Sequence, residues 1–260
     1  MVSNSVIISL VVVMVLCFVV PIGALIFFKV KEHFSIKTTF VGILGFVLFS
    51  LVLEQLMHKA VISSKILTVG TLGFGIYGAL AAGVFEEVGR FVMFKTLLKR
   101  NREWKDGIGY AIGHGGIEAI LLGGLGMVNS LVIALAVNSG TLGVLLKGQS
   151  SSVADTVKNS VVNATVSGVA LGGAERVFAF IIQIALTFVV LYGIRQRKNI
   201  YLLIAILLHA LVDFAPALYQ SKIITSIAAV ETLICIFAII GLVFIVRSKK
   251  IFESAELIDK

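Results

Sequence analysis

Apolar residues fall in long, unbroken runs separated by short polar stretches. Neither the two-residue alternation of a half-buried strand nor the stripe of a surface helix organises them. The runs cover roughly residues 6–28, 39–57, 68–94, 107–137, 174–194, 199–219 and 223–246. About 20 apolar residues cross a bilayer as one helix, so the pattern predicts an all-α, polytopic transmembrane bundle of about seven spans. The first run exceeds the roughly 7–15 residues of a signal-peptide core, and no cation precedes it. It is expected to stay as an anchor, kinked at Pro21. Gly123, Gly124 and Gly126 interrupt the fourth run, which leaves an eighth segment open, either re-entrant or short. The long connection 138–173 is rich in Ser, Asn, Thr and Val. Its valines at 153, 157, 161 and 169 fit a weakly amphipathic helix at the membrane interface, or a solvated loop.

Composition agrees. The 260 residues are 58% hydrophobic and 14% charged, with a mean hydropathy of +1.07. Soluble domains sit near ~45–50% apolar and ~25% charged. Cys17 and Cys235 lie inside apolar runs and read as small buried hydrophobes. The net charge of +8 would suit nucleic acid, but its placement argues otherwise. With the N-terminus outside, the inner segments around 29–37, 95–105, 195–198 and 247–260 hold fifteen Lys and Arg. The outer ones hold five: Lys59, Lys65, Lys147, Lys158 and Lys222. This is the positive-inside asymmetry. The expectation is one membrane-embedded domain over residues 1–260, multi-pass in the cell membrane, N-terminus outside and C-terminus cytoplasmic. It ends in a short polar tail from Ile251, with lipid as a partner and no nucleic acid.

An ionisable group inside a bilayer costs ~2.5–3.5 kcal/mol on insertion scales and is by default a candidate functional group. The third run carries Glu86, Glu87 and Arg90, the fourth His114 and Glu118, and the sixth His209 and Asp213. Within each helix a spacing of three or four places the groups on one face. Counting from the inner edge at 1.5 Å per residue puts Glu86 and Glu87 ~13 Å deep, His114 ~10 Å and His209 ~15 Å. The shared depth argues for one site. Each pair alone also reads as structural: an ion pair locking helices, or a hydrogen-bonding imidazole. Glu54, Glu231 and the pair Glu175 and Arg176 read as structural groups nearer the ends of their spans, although Arg176 also suits the site's outer wall. The small residues from Gly70 to Gly83 suit close helix approach, and Gly113, Gly115 and Gly116 suit either that or room for a substrate backbone.

Such a set supports hydrolysis. A carboxylate in a poorly solvated site gains proton affinity and serves as a general base, while imidazoles position water or stabilise a developing oxyanion. Two imidazoles plus a carboxylate equally form a catalytic zinc set. The alternatives from other classes are a proton- or cation-coupled transporter, which also uses buried acids and imidazoles, and a noncatalytic scaffold or immunity protein.

Glu-Glu followed by Arg, then aromatic-x-x-x-His, then His-x-x-x-Asp, on successive helices, resembles the CAAX-protease and bacteriocin-processing (Abi) superfamily of intramembrane proteases. It is most similar to the YhfC branch of intramembrane metalloproteases. The resemblance covers residues 85–213 and implies a catalytic core over about 68–219. It implies Glu86 as the water-activating base with Glu87 in support, and His114 and His209 as ligands of water or of a zinc ion. Asp213 stands where the superfamily has Asn or Asp. Arg90 is the motif arginine, one residue closer to the acidic pair than usual and therefore rotated by about 100°. Glu118 adds a ligand or orients His114. An eight-helix core and a peptide or membrane-protein substrate are further implications, with the reaction either zinc-assisted or metal-independent.

Overall fold

The computed structural model describes residues 1–258, with side chains through residue 255; the inner-segment cation Lys260 lies outside the described residues. The described chain is helical, and six of its helices are long and apolar enough to cross a membrane. They are α1 (Asn4–Glu32), α2 (Ile36–Ser64), α4 (Trp104–Ser139), α6 (Val166–Arg195), α7 (Ile200–Gln220) and α8 (Ile227–Ile258). Between them lie α3 (Leu72–Thr96) and the short α5 (Ser151–Val162). At 25 residues, α3 is long enough to cross. Glu86, Glu87 and Arg90 dilute its apolar character, and it is not among the six. The protein is a multi-pass membrane protein.

Several boundaries differ from the hydrophobic runs, each for a local reason. The glycine-broken fourth run is one continuous helix, so no re-entrant or extra segment arises there. A π-helical stretch, Ala119–Gly124, absorbs Gly123 and Gly124 without breaking α4. A second, Val47–Glu54, lies inside α2. α6 starts at Val166, eight residues earlier than its apolar run, because the Thr165 hydroxyl caps it by accepting the Gly168 amide. Glu175 and Arg176 are thereby carried more than two turns into the helix. The tail expected to be polar continues α8 to Ile258. The connection after α4 holds α5, whose Val161 is buried in one cluster with α1 and α4 residues such as Val6 and Ile133.

Contacts between helix ends define two ends of the bundle. At one, Val2 and Asn138 exchange hydrogen bonds of 2.7 and 2.9 Å, and Gly75 near the start of α3 lies beside Leu218 and Ser221 at the end of α7. At the other, Trp104 Nε1 donates to Ser248 Oγ at 2.7 Å and Lys249 pairs with Glu32 at 2.8 Å. This second end is packed solid. Phe34, Phe94, Leu98, Ile108, Tyr110 and Phe188 are fully buried in one cluster, and the Phe94 and Tyr110 rings lie 4.6 Å apart.

Small residues set the helix spacing around the centre. A Cβ on Gly83 would sit 2.7 Å from the Ile206 carbonyl, so glycine there lets α3 lie directly on α7. A Cβ on Gly113 would sit 2.1 Å from the Thr39 carbonyl, which closes α4 onto α2. Gly115 and Gly116 are filled in the same way by Gln183 and Pro21, not left open for a substrate.

Candidate active site

Four helices bring polar groups to one place between the two ends. α3 supplies Glu86, Glu87 and Arg90; α4 supplies His114 and Glu118; α6 supplies Gln183; and α7 supplies His209 and Asp213. Helical spacing on α3 lets Arg90 reach back to both acids, three and four residues away. Arg90 is 0% exposed and donates to Glu87 Oε1, to Glu86 Oε2 at 3.3 Å and to Gln183 Oε1. Arg90 therefore ties the two acids together.

The two acids have different surroundings. Glu87 is wholly buried, and its Oε1 meets Arg90 and, at 2.6 Å, Nδ1 of His209. A carboxylate beside a guanidinium accepts, so His209 is held by Nδ1–H, leaving Nε2 toward Asp213 Oδ2 at 3.4 Å and Glu86 Oε2 at 4.0 Å. Glu86 Oε2 instead gathers His114 Nε2 at 2.9 Å, Gln183 Nε2 at 2.9 Å and Arg90. Gln183 Nε2 also donates to Glu118 Oε2 at 2.7 Å. Its amide orientation follows from chemistry: the oxygen must face Arg90, so the NH2 group must face the two carboxylates. Asp213 is the most open member, with a side chain 37% exposed.

Beside this cluster lies a cavity of about 370 Å³, within the range of roughly 300–1,000 Å³ common for ligand sites. Glu86, Glu118, His209 and Asp213 reach it, as do Glu175 and Arg176 of α6. Arg176 lies 3.8 Å from Glu118 and pairs with Glu175. Across the cavity, Glu54 of α2 accepts from His58 Nε2 at 3.1 Å, and His58 Nδ1 bonds the Tyr77 hydroxyl at 2.7 Å.

Glu86, Glu87, Arg90, His114, Glu118, His209 and Asp213 are thus drawn into one connected network. Three contributors were not singled out for it in sequence. Gln183 is a neutral amide in an apolar run, where only charged and imidazole groups stood out. Glu54 and Glu175 looked too close to their span ends; α2 runs on to Ser64 and α6 begins at Val166, so both lie well inside their helices, on the cavity.

The donor atoms of Glu86, His114 and Glu118 lie within 4.8 Å of one another. One imidazole nitrogen and two carboxylate oxygens suit a catalytic divalent metal such as zinc. His209, expected as the second imidazole ligand, is not in this group, because Glu87 engages its Nδ1 and its Nε2 stands off from Glu86. The charge balance also suits a cation: among the described residues, Glu54, Glu86, Glu87, Glu118, Glu175 and Asp213 face only Arg90 and Arg176 as permanent positive partners. Uncompensated carboxylates at membrane depth are costly.

A model of the YhfC intramembrane metalloprotease family matches residues 16–234. The chain is 38% identical over 258 residues to a Bacillus subtilis (strain 168) protein named uncharacterized membrane protein YhfC, covering 97% of this chain and 100% of that one. No solved structure matches.

Proposed function

This chain belongs to the YhfC intramembrane metalloprotease family, and from that premise we propose that it hydrolyses a peptide bond of a peptide or membrane-protein substrate in the cavity beside Glu86. We place it by its motif order with the CAAX-protease and Abi superfamily. The observation that carries the reading is the split between the two adjacent acids, one fixed behind an imidazole and the other open to the cavity.

Glu86, His114 and Glu118 would hold the metal, with Gln183 keeping the two carboxylates side by side. Such an ion, when bound, polarises the scissile carbonyl and makes its water more acidic. The donors to Glu86 converge on Oε2, so Oε1 is the oxygen that takes a proton from the attacking water. As the C–O bond forms and the C–N bond breaks, His209 Nε2 delivers a proton to the leaving amine. Glu86 then returns the proton it took to His209 through cavity water, since even its nearer oxygen, Oε2, lies 4.0 Å from Nε2, beyond a direct hydrogen bond. Glu87 holds the imidazole by Nδ1 throughout, and Asp213 steadies its charged form. The solid end of the bundle excludes water from behind the site.

Detergent-purified protein should cleave labelled casein or a single-span reporter. Glu86→Gln should lower turnover by about 10²–10⁴-fold, the usual worth of a general base, with thermal unfolding unchanged. Undiminished turnover would refute the role of Glu86. Metal analysis should find about one zinc per chain, the number one three-donor catalytic site takes up, and Glu118→Gln with His114→Ala should remove it. Retained metal would refute the ligand set.

A further inference from the structure

The cavity has a direction, and every wall gives the same one. On α3 its lining residues run Glu86, Ala82, Gly78, toward the start of that helix. On α7 they run His209, Asp213, Pro216, Gln220, toward its end. On α6 they run Gln183, Ala179, Glu175, toward its start, and on α2 they run from Glu54 to His58, toward its end. All four lead to the end of the bundle where Gly75 meets Ser221. In the opposite direction the path is blocked within one turn by Glu87 and Arg90, both 0% exposed, and then by the aromatic cluster around Phe94 and Tyr110.

The open end is also the lysine-poor one. Its connections carry Lys65, Lys147, Lys158 and Lys222, while the closed end carries the dense basic segments 95–105 and 195–198. Lys and Arg concentrate on the cytoplasmic side of a membrane protein. We propose that the site is reached from the non-cytoplasmic face, and that its substrate is a short, unfolded polypeptide segment presented on that face. A cavity of about 370 Å³ admits an extended stretch and no folded domain. The cavity lining carries the carboxylates of Glu54, Glu86, Glu118, Glu175 and Asp213 against the single guanidinium of Arg176, so a segment bearing Lys or Arg is favoured over an acidic one. The kind of occupant rests on the protease reading; the side of entry does not.

The test is side-specific thiol labelling of the full-length protein in cells. Cys17→Ala and Cys235→Ala first remove the two free cysteines. Gly78→Cys then places a thiol on the cavity wall, where a Cβ has nothing within 4 Å. Lys99→Cys marks the exposed connection at the closed end. A charged, membrane-impermeant methanethiosulfonate reagent should modify Gly78→Cys in intact cells. It should modify Lys99→Cys only in inverted vesicles. Gln220→Cys, on the exposed rim, is the second reporter should Gly78→Cys fail to accumulate. Modification of Gly78→Cys or Gln220→Cys only from the side that modifies Lys99→Cys would overturn the proposal. So would a Gly78→Cys that stays unmodified from both sides while denatured protein reacts. Glu86→Gln decides the protease reading separately, whichever side is labelled.

Discussion

The two halves of the bundle use similar helices to opposite ends. Toward Trp104 and Ser248, interhelical space is filled by aromatic and branched side chains, with Phe94, Tyr110 and Phe188 fully buried. Toward Gly75 and Ser221 the same helices enclose a cavity whose walls mix carboxylates, imidazoles and a guanidinium with small residues. Side-chain volume and charge separate the halves: where α3 and α7 carry Gly78, Ala82, Pro216 and Ala217, their closeness leaves a gap that polar groups from α2 and α6 line. The filled half is thereby a foundation, holding Arg90 and Glu87 still while the hollow half stays accessible.

This contrast can be broken by substitution. Phe188→Ala, in the filled half, should destabilise the protein by about 3–5 kcal/mol through the cavity it leaves, lowering the unfolding midpoint in detergent. Molecules that remain folded should keep their turnover; a specific loss of turnover without loss of stability would merge the two halves. The glycines of α3 give a finer test within one helix. Gly83→Ala drives a methyl to 2.7 Å from the Ile206 carbonyl and should cost about 1–3 kcal/mol. Gly78→Ala meets nothing and should change stability by about 1 kcal/mol or less, in the stabilising direction of helix propensity. Equal effects at the two positions would mean that the gap beside Gly78 closes in the membrane.

How much of this was visible in the chain depended on how conspicuous each residue was against lipid. Glu86, Glu87, His114, His209 and Asp213 stood out because charge and imidazole are rare in apolar runs, and counting residues brought them to one depth. Gln183 did not, since one amide among Ile and Ala looks like ordinary helix contact. Only the fold reveals that it touches Arg90, Glu86 and Glu118 together. Arg176 was already read as suiting the outer wall, whereas Glu175 was set near a span end because the first turns of α6, with Gly168, Gly172 and Gly173, look like loop. His209 stands outside the Glu86, His114 and Glu118 group that could hold a metal for a reason no spacing rule carries: Glu87 lies closer to His209 than Glu86 does.

The π-helical stretch of α4 does more than bridge glycines. Residues repeated every fourth position drift around an α-helix by about 40° per step, since 3.6 residues complete a turn. A wider turn takes back part of that drift. In α4 the wide turn follows Glu118, and His114, Glu118 and Leu122 all still reach the chamber or its acids. In α2 it ends at Glu54, directly before the step to His58. The wide turn of α4 therefore works as a phase adjustment, keeping His114, Glu118 and Leu122 on one seam where a regular helix would begin to wind it away.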